Sequence, residues 1–132
     1  MKIRQDAFDR IVAHALDDKP NEGCGLLIGS AELVHDAMPA RNVRKSPTKF
    51  QVAPADHFAA IRKARAAGLE VVGAYHSHPN GPSGPSETDR VRLNDPSMVH
   101  VIVSLAHGTR TLRAFRFNSD GTFSQLEFAP VP

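Results

Sequence analysis

The sequence predicts an α/β fold, a single-domain mixed sandwich in which a curved, mostly antiparallel sheet is flanked by helices. Three observations carry that expectation. Apolar residues recur at helical spacing in two segments, around residues 5–17 and 54–68. Short runs rich in β-branched residues, bounded by Gly, Pro, Asn and Asp, follow each of them. A chain of 132 residues fits one domain over residues 1–132 and leaves little room for a second module.

Taken in order, Phe8, Ile11, Val12, Ala15 and Leu16 form the stripe of the first helix, which stops before Lys19-Pro20-Asn21. His14 lies within it and reads as a surface or boundary residue. Residues 23–28 read as a short buried strand and residues 32–38 as a second, joined by a turn at Gly29-Ser30. Residues 39–49 are polar, contain Pro47 and read as a long surface connection, with a short strand expected at 50–52. Pro54 opens the second helix, which presents Phe58, Ile61 and Ala64 and ends at Gly68.

The next strand starts at Leu69 and carries two histidines at its C-terminal end. Beyond them Asp95-Pro96 closes a further helix, and residues 98–105 form a strand with Val99, Val101 and Val103 on one face and His100 and Ile102 on the other. Turns at His107-Gly108-Thr109 and at residues 118–121 lead into strands 110–117 and 122–128, so the C-terminal third reads as an antiparallel meander.

Composition narrows the function classes. Hydrophobic residues make up 41% and charged residues 23%, as in an ordinary globular protein. The net charge of +2 is small and the basic residues are dispersed, so no nucleic-acid partner is expected. One cysteine, Cys24, excludes an intrachain disulfide and fits a reducing compartment. No apolar stretch resembles a signal peptide or reaches membrane-spanning length, so a cytoplasmic protein with no membrane partner is expected.

The chemistry concentrates in residues 76–89, His-Ser-His-Pro-Asn-Gly-Pro-Ser-Gly-Pro-Ser-Glu-Thr-Asp. Strand side chains alternate, so His76 and His78 point the same way and Ser77 the other. Pro79 ends the strand, and a loop with Gly81, Pro82, Gly84 and Pro85 carries the chain off stiffly. Ser86-Glu-Thr-Asp89 has the form of a helix N-terminus, and a helix starting there swings Asp89 back over the histidines. Two imidazoles, one carboxylate and a fourth position left to water make the composition of a catalytic zinc site. Each fragment has a bland reading: a His-x-His pair arises by chance, and Ser-x-x-Asp is by itself more often only a cap. Their joint occurrence at a strand end is what gives them weight.

His76-x-His78-Pro79 followed by Ser86-x-x-Asp89 resembles the signature of the JAMM (MPN-plus) metalloproteases, which remove ubiquitin or ubiquitin-like proteins from conjugates. Glu22, in Asn-Glu-Gly-Cys-Gly-Leu-Leu-Ile-Gly, matches that family's upstream glutamate, and the short form is most similar to its compact bacterial branch. By itself Glu22 reads as a solvated loop carboxylate. The resemblance implies a JAMM/MPN fold of the cytidine-deaminase-like kind. It also implies one zinc ion per chain on His76, His78 and Asp89, Glu22 as general base, and Ser86 as hydrogen-bond donor to the developing oxyanion. The implied substrate is a ubiquitin-like or sulfur-carrier protein cut after its Gly-Gly end, with release of cysteine or another amino acid among the outcomes. A non-catalytic MPN scaffold and a zinc amidase acting on a small molecule or cell-wall peptide are the alternatives, and a homodimer stays open. Cys24 reads as a core residue, and a cysteine nucleophile with a histidine base is the weaker reading.

Overall fold

The computed structural model describes residues 1–93 and 95–132, with the side chains of Val91 and Arg92 outside the description. Its elements are β1 (Lys2–Arg4), α1 (Gln5–Asp18), β2 (Cys24–Gly29), β3 (Leu33–Ala40), α2 (Pro54–Ala66), β4 (Glu70–His78), α3 (Glu87–Arg92), β5 (Val99–Ser104), β6 (Thr111–Phe117), β7 (Phe123–Leu126) and β8 (Ala129–Val131). The strands form one sheet in the order β7-β6-β5-β4-β2-β3-β1-β8. Four of its seven ladders are antiparallel, as expected, and β4 with β5 is one of the three parallel pairs.

Two strands at the chain ends escape the sequence pattern. Residues 122–128 do not form one strand: β7 stops at Leu126, and β8 crosses to pair with β1 at the opposite end of the strand order. Three residue steps span at most about 11 Å, so the two ends of the sheet lie close together and the sheet curls. The N-terminal ammonium bonds to the Glu127 carbonyl at 2.8 Å, which ties the chain ends there. The meander expected from the C-terminal third thus holds for β5, β6 and β7 only.

Helix α1 fills the hollow of the curled sheet. Ala7, Ile11 and Ala15 are fully buried in one cluster with Ile3, Leu27, Val34, Tyr75 and the valines of β5. Gly25 faces Tyr75, and a Cβ there would run into the phenol ring and the Met38 carbonyl. On the other face, α2 packs through Ala60 and Ala64 against Leu26, Ile28 and Ala74. This corrects the expected α2 stripe, since Phe58 is 62% exposed. Ala64 holds its expected place and Ile61 is half-buried, while Ala60, next to Ile61 and outside the expected stripe, makes the second close contact with the sheet. The strand expected at 50–52 reduces to an isolated bridge between Asn42 and Val52.

The alternation read from β5 is present. Val99, Val101 and Val103 join the α1 side, whereas His100 and Ile102 turn to the other. His100 is buried edge-on to Phe117, with ring centroids 5.2 Å apart, and neither ring nitrogen has a hydrogen-bond partner among the described residues. Burial, followed by the nearby His76, pushes its pKa down to about 4. The unfolded chain therefore takes up a proton near pH 6.5 that the fold refuses, and stability falls as pH drops from 6.5 towards 4. In metal-free protein, urea denaturation at pH 7.5 and pH 5.0 should show wild type losing about 2 kcal/mol more than His100→Leu over that interval.

Candidate metal centre

Sheet register delivers the first three residues. β2 and β4 are antiparallel with Cys24 opposite His76, and the ladder continues past β2 through Ser77 N to Gly23 O at 2.9 Å. The Ser77 hydroxyl accepts the Gly23 amide at 2.7 Å from the sheet's other face. Following that register one step further sets Glu22 beside His78. The Glu22 carboxylate and the ring nitrogens of His76 and His78 all come within 4.8 Å of one another, and all three residues are buried.

Helix α3 delivers the fourth. Ser86 Oγ accepts the Asp89 amide at 3.1 Å, and Asp89 Oδ2 accepts the Ser86 amide at 2.9 Å, a reciprocal capping box. The same Oδ2 lies 3.1 Å from His76 Nε2 and 3.0 Å from His78 Nε2, and the two Nε2 atoms are 3.1 Å apart. Phe50 stacks on His76 at 4.3 Å between centroids.

The electrostatics follow from burial and convergence. His78 Nδ1 donates to the Pro82 carbonyl at 2.7 Å, so the ring's outer proton is fixed there and Nε2 faces Asp89. Burial alone would raise the Asp89 pKa, but hydrogen bonds from His76 and His78 hold the carboxyl well below the usual range. Burial lowers the pKa of His76 in spite of Asp89. At His78 burial is outweighed by Asp89, the Pro82 carbonyl and Glu22, so its pKa rises.

These three atoms suit a small cation. Ligands 2.0–2.1 Å from a tetrahedral zinc are about 3.3 Å from each other, and here the separations are 3.0–3.1 Å. The donor set, two imidazoles and a carboxylate oxygen, is also that of catalytic zinc. A hydrogen bond from a ring to a backbone carbonyl, as at His78, is the usual support for a ligating histidine.

Two cavities border Glu22. One, about 430 Å³, is walled by Pro47, Pro79, Pro82, Gly84, His78 and Ser86. The other is larger, about 540 Å³, and lined by charged groups such as Asp18, Arg41 and Asp56, but Glu22 is the one site residue on its wall, whereas His78 and Ser86 join Glu22 on the wall of the smaller. The chemistry therefore belongs to the smaller, proline-rich groove.

Residues 4–118 match the family of prokaryotic homologs of the JAB domain. The chain belongs to that family. It is the bacterial branch of the JAMM group to which the motif points. Desampylase of Haloferax volcanii is 36% identical over 111 residues, covering 79% of this chain and 80% of the relative. The CysO-cysteine peptidase of Mycobacterium tuberculosis is 32% identical over 117 residues, covering 86% and 80%. A solved structure, protein DSY2949 of Desulfitobacterium hafniense, superposes with a TM-score of 0.89 at 29% identity, over 99% of this chain and 93% of that one.

All five residues singled out in this JAB chain, Glu22, His76, His78, Ser86 and Asp89, thus meet at one place. Sequence reasoning missed Asn42, Phe50, Ser77 and Pro82, which hold or cover them. The alternation of strand side chains could have assigned Ser77 a partner on the opposite face, but Asn42 and Pro82 act through loop geometry that no periodicity encodes. His14 pairs with Tyr75 and Asp18 on the α1 side, as a boundary residue would.

Cys24 is fully buried, and burial, then Asp18, Asp56 and Glu22, push its thiol up to about 12. A fully buried thiol held this far above its usual range is a poor nucleophile, which counts against the cysteine-nucleophile reading. In the native protein Cys24 should resist a thiol reagent at pH 8 and react at once in denaturant, and Cys24→Ala should keep any hydrolytic activity within a few-fold. Rapid labelling of the native chain would contradict this.

Proposed function

We propose that this chain is a zinc-dependent peptidase or isopeptidase that hydrolyses the amide bond after the Gly-Gly C-terminus of a ubiquitin-like or sulfur-carrier protein. The observation that carries the reading is the convergence of His76 Nε2, His78 Nε2 and Asp89 Oδ2 with the Glu22 carboxylate beside them. The names of the two relatives, a desampylase and a CysO-cysteine peptidase, support the substrate class. The reading takes residues 1–132 as one catalytic domain with one zinc per chain, working in the cytoplasm on a protein substrate. No helix among the described residues is long and apolar enough to cross a membrane.

His76, His78 and Asp89 would hold the ion, which supplies the Lewis acidity that makes water a nucleophile at neutral pH. Glu22 accepts the proton of the attacking water on its carboxylate and hands it to the nitrogen of the leaving amine. Ser86 Oγ already accepts the Asp89 amide, which leaves its O–H to donate to the carbonyl oxygen as charge develops there. Removing such a donor costs about 3 kcal/mol of transition-state stabilisation. The groove beside Glu22 and His78 is walled by Pro47, Pro79, Pro82, Pro85, Gly81 and Gly84, and a Gly-Gly tail brings no side chains of its own into it. A proline-lined groove also keeps its width, because each ring fixes one backbone torsion.

These roles separate on substitution. Glu22→Gln keeps the side-chain shape but removes the charge and the basic oxygen, and should retain zinc while turnover falls by about a thousandfold. The assay is release, by mass spectrometry, of the residue from a carrier protein extended past Gly-Gly, with and without chelator. An unchanged rate in Glu22→Gln would remove Glu22 as the base.

A further inference from the structure

The connection between β3 and α2 contains one residue whose bonding is saturated. Asn42 is buried, and its side-chain amide offers two hydrogens and two lone pairs. Nδ2 donates to the carbonyls of Glu22 and Lys49, each at 3.0 Å. Oδ1 accepts the amides of Arg44 at 3.0 Å and Gln51 at 3.1 Å. Three of these bonds close the loop on itself, and the fourth leaves it for Glu22.

What those bonds enclose is specific. Lys49 and Gln51 flank Phe50, the ring stacked on His76. The Glu22 amide donates to Ser46 O at 2.8 Å in the same loop, so both backbone polar groups of Glu22 are held by residues 42–46. Glu22 lies two residues before the first residue of β2, where the loop from Asn42 to Ser46 meets it.

We propose that Asn42 is a positioning residue: through one side-chain amide it fixes the backbone of Glu22 and brackets the Phe50 ring that covers His76, so the base and its histidine neighbour keep a common geometry. This rests on the reading of Glu22 as general base. A displacement of about 1 Å at such a group can cost a hundredfold in rate. The two donor bonds are the ones that reach Glu22 and Lys49. Asn42→Asp is nearly isosteric and keeps an acceptor for Arg44 and Gln51, but replaces the two donors by a carboxylate oxygen that the carbonyls of Glu22 and Lys49 repel. Asn42→Ser, with a small hydroxyl, is the milder second variant.

The test combines amide hydrogen exchange with kinetics. In either variant the Glu22 amide should lose protection at least tenfold, while amides of β2 and β4 such as Leu27 and Tyr75 keep theirs. On the extended carrier protein, kcat should fall by about a hundredfold with KM within threefold and zinc content unchanged. Added to Glu22→Gln, the Asn42 change should cost less than threefold more, because it acts through the group already disabled. Unchanged protection at Glu22, or losses that multiply in the double variant, would overturn the proposal. So would equal loss of protection throughout β2 and β4 in both variants, which is the mark of a purely structural residue. If wild type itself cleaves no carrier, the hydrolase reading falls, and the exchange data still decide whether Asn42 holds Glu22.

Discussion

Three lone-pair-bearing atoms, two imidazole nitrogens and a carboxylate oxygen, lie within 3.1 Å of one another in a buried site. Such a cluster repels itself unless a proton or a cation lies within it. Hydrogen bonds from the histidines hold the Asp89 carboxyl ionised, and the Pro82 carbonyl holds the outer proton of His78. A divalent ion resolves the same convergence with more charge, and its binding would release the protons that otherwise hold the cluster together. The rest of the molecule serves to keep these atoms at that separation.

Rigid elements do most of that work. β4 lies between β2 and β5, so the strand bearing both histidines is paired on both sides. The antiparallel register with β2 draws Glu22 in from a segment more than fifty residues away in sequence, and Ser77, between the histidines, ties down Gly23 next to it. Asp89 comes from a different kind of support, the first turn of a short helix whose cap uses the same carboxylate oxygen that meets the histidines. The cap therefore orients the group that completes the cluster.

Much of this was legible because its periods are local. The twofold repeat of a strand placed His76 and His78 on one face and split the valines of β5 from His100, and Ser86-x-x-Asp89 announced a helix start. What stayed hidden depends on contacts distant in sequence. β1 and β8 are three residues each: β1 becomes a strand by pairing with β3 and β8, and β8 by pairing with β1, a pairing set by the curl of the sheet. The stripe of α2 was misjudged because its apolar residues include Phe58, whose bulk lies outside while the alanines make the contact. Glu22 could be assigned only through the family motif, since nothing local distinguishes it from a solvated loop carboxylate. The bonds of Asn42 are all to loop or neighbouring backbone, which leaves no trace in a hydrophobic pattern.

If His76, His78 and Asp89 form one cation site, the metal content of the protein depends on each of them. Elemental analysis of purified wild type beside His78→Ala, after both are reloaded with zinc and desalted, should give about one zinc per chain in wild type and almost none in the variant. Zinc absent from reloaded wild type, or present equally in both proteins, would mean that these three residues do not form a cation site.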